Sequence, residues 1–156
     1  MEQSLEEGQI KVSRTFDAPL DMLWNAWTDP EQFMKWYGPK GFTAPTCEID
    51  LREGGRHLWS MLSPNGRQMY FTGNYKEVQP MTRLVYTDSM SDANGNVMSA
   101  EMMGMPQGTP VTMDVTVTFE HANGKTTVTV SHVGQPGDSA GMGWEQAFDK
   151  LTEVLA

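Results

Sequence analysis

The chain has 156 residues, of which 11 are Lys or Arg and 20 are Asp or Glu, so its net charge is −9 with His neutral. This length predicts a single domain, residues 1–156, that can bury a core without disulfide or metal support. The negative charge, with no cluster of Lys or Arg against it, argues against nucleic acids and anionic membrane surfaces as partners. Because no apolar run approaches the roughly 18 residues of a membrane helix, we expect no membrane insertion.

The N-terminal sequence and the cysteine content indicate the compartment. The segment MEQSLEEGQ is acidic and polar, so it lacks the basic and apolar regions of a signal peptide. Cys47 is the only cysteine, and no Cys/His spacing resembles a zinc site. We therefore expect a cytoplasmic protein with no metal and no cofactor.

An alternating pattern near the N-terminus predicts the first β-strand. Ile10, Val12 and Phe16 alternate with polar residues. Arg14 is the one charged residue in this apolar register, so we expect it near an edge or mouth of the sheet.

Two short helices are predicted next. The first begins at Asp17-Ala18-Pro19, with the proline near the first helical position. The second has Asp29 as its N-cap, Pro30 as its first residue, Gln32 closing a capping box, and Gly38-Pro39 at its end. The apolar residues at helical spacing are Leu20, Leu23, Trp24, Trp27, Phe33 and Trp36.

The sequence Ser63-Pro64-Asn65-Gly66 predicts a type I turn that closes a three-residue hairpin loop. The pairs that this register places on one face are Met61 with Met69, Trp59 with Phe71, and His57 with Gly73. The opposite face carries Ser60, Leu62, Gln68 and Tyr70. The predicted sheet therefore has one apolar face that also holds a histidine.

A second hairpin and a final helix complete the predicted fold. Asn123-Gly124 is a strong hairpin signal. It pairs Phe119 with Val128, Val117 with Val130, and Val115 with His132. Apolar residues at helical spacing then predict an amphipathic C-terminal helix through Trp144, Ala147, Phe148, Leu151 and Leu155. The pattern as a whole predicts an α+β fold, in which an antiparallel sheet of about six to seven strands wraps around a long C-terminal helix.

Five motifs occur in the order that is typical of one family. They are Asp29-Pro30 with Trp36-Tyr37-Gly38-Pro39, the segment CEIDLREGG at 47–55, Pro64-Asn65-Gly66, the segment GNYKEV at 73–78, and Gly143-Trp144. The chain resembles the activator of 90-kDa heat-shock-protein ATPase homologues, in the SRPBCC (START-like, birch-allergen-like) superfamily. The resemblance implies a helix-grip fold with a cavity between the C-terminal helix and the concave face of the sheet. Members of this superfamily include ligand carriers, cyclases and co-chaperone domains.

The apolar face and the helices supply a candidate ligand cavity. Its candidate residues are Trp36, His57, Trp59, Met61, Met69, Phe71, Tyr86, Met113, Trp144 and Phe148. The alternative is that these side chains fill a solid core. His57 stands where the relatives are more often aromatic, and it is interpreted as a polar anchor, a general base or a hydrogen-bonded core histidine.

The segment from Ser89 to Pro110 is long, rich in methionine and without strand alternation. Adaptable methionine side chains favour a lid over the cavity, with Met102, Met103 and Met105 as its candidates. A flexible loop or a short extra strand is the alternative.

Three functions remain open at this stage. The leading hypothesis is non-enzymatic binding of a small hydrophobic or aromatic molecule by a monomer or weak homodimer. The second is a co-chaperone-like interaction with a heat-shock chaperone ATPase. Those relatives carry a separate N-terminal domain. Because the first strand is predicted to begin near Gln9, we expect no room for such a domain here. The third is a cyclase or hydrolase that uses His57 as its base, although no orienting partner for His57 is visible in the sequence.

Overall fold

Seven antiparallel strands form one sheet in a computed structural model of the chain, which describes residues 9–99, 101–103, 112–133 and 139–155. The strands are β1 (Gln9–Phe16), β2 (Cys47–Ile49), β3 (Arg56–Leu62), β4 (Gln68–Gln79), β5 (Arg83–Ser91), β6 (Thr112–Ala122) and β7 (Lys125–Val133). The helices are α1 (Leu20–Thr28), α2 (Pro30–Phe33) and α3 (Ser139–Leu155), with a short 3-10 turn at Glu101–Met103. The strand order is β1-β7-β6-β5-β4-β3-β2. The predicted α+β helix-grip fold is confirmed.

Both predicted hairpin registers are confirmed. In the first, Trp59 lies opposite Phe71 and His57 lies opposite Gly73. The amide of Gly66 donates to the carbonyl of Ser63 at 3.0 Å, and Gly66 has φ +90°, a conformation that glycine adopts without strain. In the second, the register again has the predicted partners, from Phe119 with Val128 to Val115 with His132. Turn chemistry therefore determined which side chains share a face.

The two short helices differ from the prediction at their starts. Pro19 is the N-cap of α1 instead of its first helical residue. Asp29 does cap α2, since its side chain accepts from the amide of Glu31 at 3.1 Å. The capping box with Gln32 was wrong. The amide of Asp29 donates to the carbonyl of Asn25 at 2.9 Å, because one residue both ends α1 and begins α2.

The helix α3 packs on one face of the sheet, here called the inner face, which carries His57, Trp59 and Tyr86. The ring of Phe148 meets Phe16 of β1 edge-on at 5.6 Å. The opposite, outer face carries the alternate residues of the strands. No helix among the described residues has both the length and the apolar composition needed to span a bilayer.

Two carboxylates on α3 account for the presence of the charged Arg14 in an otherwise apolar register. Arg14 lies on the edge strand β1, in the register of the buried Val12. Its Nη1 donates to Oδ1 of Asp149 at 2.7 Å, and its Nη2 donates to Oε1 of Glu145 at 3.0 Å. Arg14 therefore ties the edge of the sheet to the helix.

A second cation fixes the loop at residues 37–42 to α3. The Nζ of Lys150 donates to the carbonyls of Tyr37 at 3.1 Å, Gly38 at 3.1 Å and Phe42 at 3.0 Å, with Pro39 at 3.4 Å. Burial lowers the pKa of Lys150. The carbonyls compensate for the lost hydration of the ammonium group, so this cluster is complete in its hydrogen bonds.

Candidate functional site

A cluster of aromatic rings occupies the space between the helices and the inner face. Trp59 of β3 contacts Phe33 at 4.5 Å and Tyr86 at 5.6 Å between ring centroids. Trp27 of α1 contacts Trp36 at 4.8 Å and Trp144 of α3 at 5.5 Å. Except for Trp144, which is half-buried, these residues are at most 2% exposed. The rings form an apolar environment in which any polar group is poorly solvated.

His57 lies within this environment and is 1% exposed. Its ring stacks on Trp59, with centroids 3.8 Å apart and an interplanar angle of 15°. Nε2 lies 2.8 Å from the carbonyl oxygen of Thr87, so it carries the proton and donates to that oxygen. The other nitrogen, Nδ1, is then an acceptor. It is buried and has no hydrogen-bond partner.

Gly73 allows the ring of His57 to cross β4 and reach β5. A Cβ at Gly73 would lie 1.8 Å from the carbonyl oxygen of Thr87. The neighbouring amide of Asn74 donates to Oγ1 of Thr87 at 2.9 Å. A glycine at this point therefore brings the backbone of β4 close enough to β5 for the imidazole to bind the Thr87 carbonyl.

Asp88 follows Thr87 and shares the inner face with Tyr86. Its side chain is 8% exposed, and its Oδ1 is 3.8 Å from Nε2 of His57, too far for a hydrogen bond. Oδ1 has no partner among the described residues. Burial raises the pKa of Asp88 well above its usual range and so favours the protonated carboxyl group.

Burial disfavours the charged form of both members of the pair formed by His57 and Asp88. Burial lowers the pKa of His57 to about 4; the Thr87 hydrogen bond acts in the opposite direction, and the charge of Arg56 lowers the pKa further. Both shifts favour the uncharged forms, so they disfavour an ion pair between the two side chains. Burial likewise raises the pKa values of Tyr75 and Tyr86, with Asp88 as a further cause for both, so both phenols keep their protons.

Cys47 lies beside the aromatic cluster on the inner face of β2. It pairs with Trp59 across the strands and is half-buried. Burial raises the pKa of its thiol to about 12. The thiol is therefore protonated at neutral pH and is a poor nucleophile.

Four buried side-chain atoms of the described residues have no hydrogen-bond partner. They are Nε1 of Trp27, Nδ1 of His57, Nε1 of Trp59 and Oδ1 of Asp88. Burial raises the pKa of Tyr37 well above its usual range, and the nearby indole N–H of Trp59 acts in the opposite direction without completing a hydrogen bond. An unpartnered buried polar atom costs about 1–3 kcal/mol, so a bound molecule that supplied partners would recover that free energy.

Half-buried side chains, mostly methionines, border the site at one end of the inner face. Beyond the buried Trp59 and Tyr86, the inner face continues with residues of intermediate exposure. This methionine rim consists of Met61, Met69, Phe71, Met90 and Met113. The rim is the part of the inner face where exposure increases from the buried cluster towards solvent.

The predicted site residues fall into two groups. Those within the buried cluster or at its border are Trp36, His57, Trp59, Tyr86, Trp144 and Phe148. Those on the rim are Met61, Met69, Phe71 and Met113. The sequence-based interpretation missed Trp27, Tyr75, Asp88 and Met90 as site residues. Alternation could have found Asp88, because it lies two residues after Tyr86 in a strand.

The predicted lid is only partly within the described residues. Residues 89–91 belong to β5, and a turn at 92–96 then folds back over the outer face, where Nη2 of Arg56 donates to the carbonyl of Gly95 at 3.2 Å. Met102 is 69% exposed, and Met103 ends the 3-10 turn. Met105 lies outside the described residues. A lid formed by these methionines stays a prediction.

An open pocket with a volume of about 360 Å³ lies at the β2–β3 edge, and His57 is one of its lining residues. Glu48, Asp50, Arg56 and Asn94 are among its lining residues, and all four are exposed. Charged groups in such a pocket are hydrated. The described ranges contain no group of three or more His, Cys, Asp or Glu side chains that could hold a metal ion.

Comparisons with known proteins place the chain in a family. A family model described as "Activator of Hsp90 ATPase homolog 1-like protein" matches residues 17–156. A search of functionally curated proteins found no match. A crystal structure of a Chromobacterium violaceum protein is similar, with a TM-score of 0.76 and 26% identity over 95% of this chain and 96% of that chain. A solution structure from Staphylococcus epidermidis has a TM-score of 0.78 and 25% identity over 99% of this chain and 93% of that chain.

A third structure extends the similarity of fold. The AHSA1 protein of Silicibacter pomeroyi has a TM-score of 0.71 and 19% identity, over 94% of this chain and 96% of that chain. At this identity the likeness concerns the fold alone. Since the family model spans residues 17–156, nearly the whole chain, the protein belongs to the Activator of Hsp90 ATPase homolog 1-like family.

Proposed function

We propose that the protein binds a small, largely apolar or aromatic molecule between α3 and the inner face of the sheet. The observation that carries this proposal is the group of four unpartnered buried polar atoms within the aromatic cluster. If this cluster served only as a solid core, the protein would gain stability by having apolar groups in place of these polar atoms. Their presence is accounted for if a ligand supplies the missing partners.

The methionine rim supports the same proposal as a route of entry. Its side chains are half-buried, and they lead from solvent to Trp59 and Tyr86. Methionine has three rotatable bonds and a polarizable sulfur, so it adapts to apolar molecules of different shapes. A ligand that passes the rim would meet the aromatic cluster at Trp59 and Tyr86.

The protonation states favour binding over acid–base catalysis. His57 is oriented by the Thr87 carbonyl and has a free Nδ1, which is the geometry of a general base. Its pKa of about 4 makes it a weak base at neutral pH, since a base works best with a pKa near the operating pH. Burial raises the pKa of Asp88 as well, which makes its carboxylate form unfavourable. The cyclase or hydrolase hypothesis therefore has little support from this pair.

The proposal is tested by comparing Trp59→Ala with Leu62→Ala. Trp59 is buried on the inner face, whereas Leu62 is half-buried in the alternate register of the same strand. We expect Trp59→Ala to weaken binding of naphthol by about tenfold or more, and Leu62→Ala by less than about twofold. Isothermal titration calorimetry measures both, and circular dichroism confirms that both variants are folded. Equal losses of affinity would contradict a ligand site at Trp59.

Native mass spectrometry provides an independent test that needs no variant. The protein purified without denaturation is compared with the same sample after acid unfolding. A discrete excess mass that disappears on unfolding would identify a captured ligand. If neither a captured mass nor binding of an aromatic probe is observed, the proposed function is wrong.

The family match supports a second candidate, a co-chaperone-like interaction. The family description names the activator of the ATPase of Hsp90, a chaperone. The candidate predicts that saturating amounts of this protein raise the ATPase rate of an Hsp90-type chaperone. An unchanged rate would exclude it and would leave the ligand-binding proposal unaffected.

A further inference from the structure

We propose that the ligand is an uncharged aromatic molecule that carries a hydrogen-bond donor for Nδ1 of His57 and an acceptor for the carboxyl group of Asp88. This inference rests on the proposed binding function and specifies the chemical class of the ligand. It comes from the position of both groups beside Trp59 and Tyr86, with their polar atoms buried and unpartnered.

The donor requirement follows from the tautomer of His57. Its Nε2–H is already used by the carbonyl of Thr87 at 2.8 Å. Nδ1 therefore presents a lone pair, and only a molecule with an O–H or N–H can satisfy it. An apolar ligand would leave this atom without a partner.

The acceptor requirement follows from Asp88 and Trp59. The Trp59 indole has an N–H without a partner, and the buried, unpartnered carboxyl group of Asp88 has an O–H to donate in the protonated form that burial favours. A hydroxyl or carbonyl oxygen on the ligand accepts from either group. A hydroxyl group attached to an aromatic ring satisfies both requirements, because it donates one hydrogen and accepts through its oxygen.

Anions fit this site poorly because the cations closest to the core are held elsewhere. Arg14 binds Asp149 and Glu145 of α3. Lys150 is held by the backbone carbonyls of residues 37–42. Arg56 lies on the outer face, bonded to Gly95. A carboxylate among the aromatic rings would therefore lose its hydration without gaining a counter-charge.

Cations also fit less well than neutral molecules. The aromatic faces and Asp88 would attract an ammonium group. However, an ammonium group has no lone pair for the indole N–H of Trp59, and it would require Asp88 to ionise within an apolar cluster. Burial of an ion pair gains little after the cost of desolvation. A neutral hydroxyl group avoids both costs.

Four probes of similar size separate these possibilities in the unmodified protein. They are naphthalene, naphthol, naphthoate and naphthylmethylammonium, titrated by calorimetry at pH 7. We expect naphthol to bind about tenfold or more tightly than naphthalene, and both ions to bind more weakly than naphthol by at least the same factor. Equal affinity for naphthol and naphthalene would overturn the inference while leaving apolar ligand binding intact. Tightest binding of either ion would overturn the neutral class, and no binding by any probe would contradict the proposed function itself.

Variants of Asp88 show whether the preference arises at this residue. In Asp88→Leu, we expect the affinity ratio of naphthol to naphthalene to fall by about threefold or more, with naphthalene binding retained. In Asp88→Asn, which keeps a neutral donor and acceptor, the ratio should fall less. Asp114→Leu is the matched control, because Asp114 is exposed and bonds Lys76 at 3.4 Å. A ratio in Asp88→Leu equal to that of the unmodified protein would show that Asp88 does not contact the ligand.

Discussion

The protein has two polar centres removed from solvent, Lys150 and the pair of His57 and Asp88. The first has a full set of hydrogen-bond partners, and the second does not. The ammonium group of Lys150 has four backbone carbonyls within 3.4 Å. The pair on the inner face has one hydrogen bond, from Nε2 of His57 to Thr87, and two unpartnered atoms. Both centres are desolvated, so the difference lies in whether the chain itself replaces the lost water.

This difference separates a structural role from a candidate binding role. A polar group with a full set of partners fixes two elements to each other, here α3 and the loop at 37–42. A group with missing partners weakens the folded state until another molecule completes it. The experiments below test this comparison in order of the expected effect.

The largest expected effect is a change in how stability depends on pH when Asp88 is replaced. In the unmodified protein, His57 and Asp88 contribute to this dependence with opposite signs. The pKa of His57 is lowered from 6.5 to about 4, so the unfolded chain binds a proton that the folded chain does not, and stability rises with pH between these values. The pKa of Asp88 is raised, so the folded chain keeps a proton that the unfolded chain loses above about pH 4, and stability falls with rising pH. In the unmodified protein these two contributions oppose each other.

The variant Asp88→Asn removes the contribution of Asp88 and leaves that of His57. We expect the free energy of unfolding of Asp88→Asn, relative to the unmodified protein, to increase as the pH rises above about 4, where an unfolded Asp loses its proton. Urea unfolding at several pH values measures this difference, and other titrating groups cancel in the subtraction. A difference that does not change with pH would show that Asp88 is not protonated in the folded protein.

Replacement of Lys150 should have the next largest effect. Lys150→Met keeps the length of the side chain but removes the donor shared by the carbonyls of residues 37–42. We expect a loss of about 2 kcal/mol in the free energy of unfolding, since hydrogen bonds to charged groups are stronger than neutral ones. Lys125→Met is the control, because Lys125 is exposed. Equal losses in the free energy of unfolding for Lys150→Met and Lys125→Met would show that the hydrogen bonds of Lys150 do not stabilise the fold.

The variant Asp88→Leu should change stability in the other direction. Replacing an unpartnered buried acid with an apolar side chain should raise the free energy of unfolding by about 1 kcal/mol at pH 7. Thermal unfolding measures the sign of the change. A stabilised variant that has lost its preference for naphthol would show that Asp88 is kept for binding. A destabilised variant would show that Asp88 has a partner in the folded chain.

The ion pairs of Arg14 should have the smallest effect. Arg14→Met removes its contacts with Asp149 and Glu145, whose side chains are 39% and 56% exposed. We expect a loss of less than about 1 kcal/mol, and a smaller loss in high salt. The same variant should leave naphthol affinity unchanged, because Arg14 is held by α3 and lies away from His57. A clear loss of affinity would extend the site to the edge strand.

Local chemistry explains how far the sequence could predict this fold. The turns at Ser63–Gly66 and at Asn123-Gly124 determine which residues lie opposite each other, and the two-residue period of a strand then assigns the faces. For this reason His57 and Trp59 were placed correctly on the inner face. The capping box at Gln32 was wrong because α1 and α2 share Asp29, a detail that depends on two elements at once.

The sequence could not predict which residues come together in the two polar centres. Asp88 is 31 residues from His57, and Lys150 is more than a hundred residues from the carbonyls that it binds, at separations of 108 to 113. Periodicity indicates only that a side chain points inwards; it does not indicate which other polar atoms lie within 3 Å of it. The close approach of β4 and β5 at Gly73 determines the partner of His57 and leaves Nδ1 free.

The amino-acid sequence alone therefore determined the antiparallel sheet with its long C-terminal helix, the strand registers and the aromatic inner face, because each depends on interactions between residues near in sequence or repeated at a fixed period. Tertiary structure decided which buried polar groups are complete and which are not. That distinction depends on distances across the sheet and between α3 and the loop at 37–42, which arise only when the chain is packed.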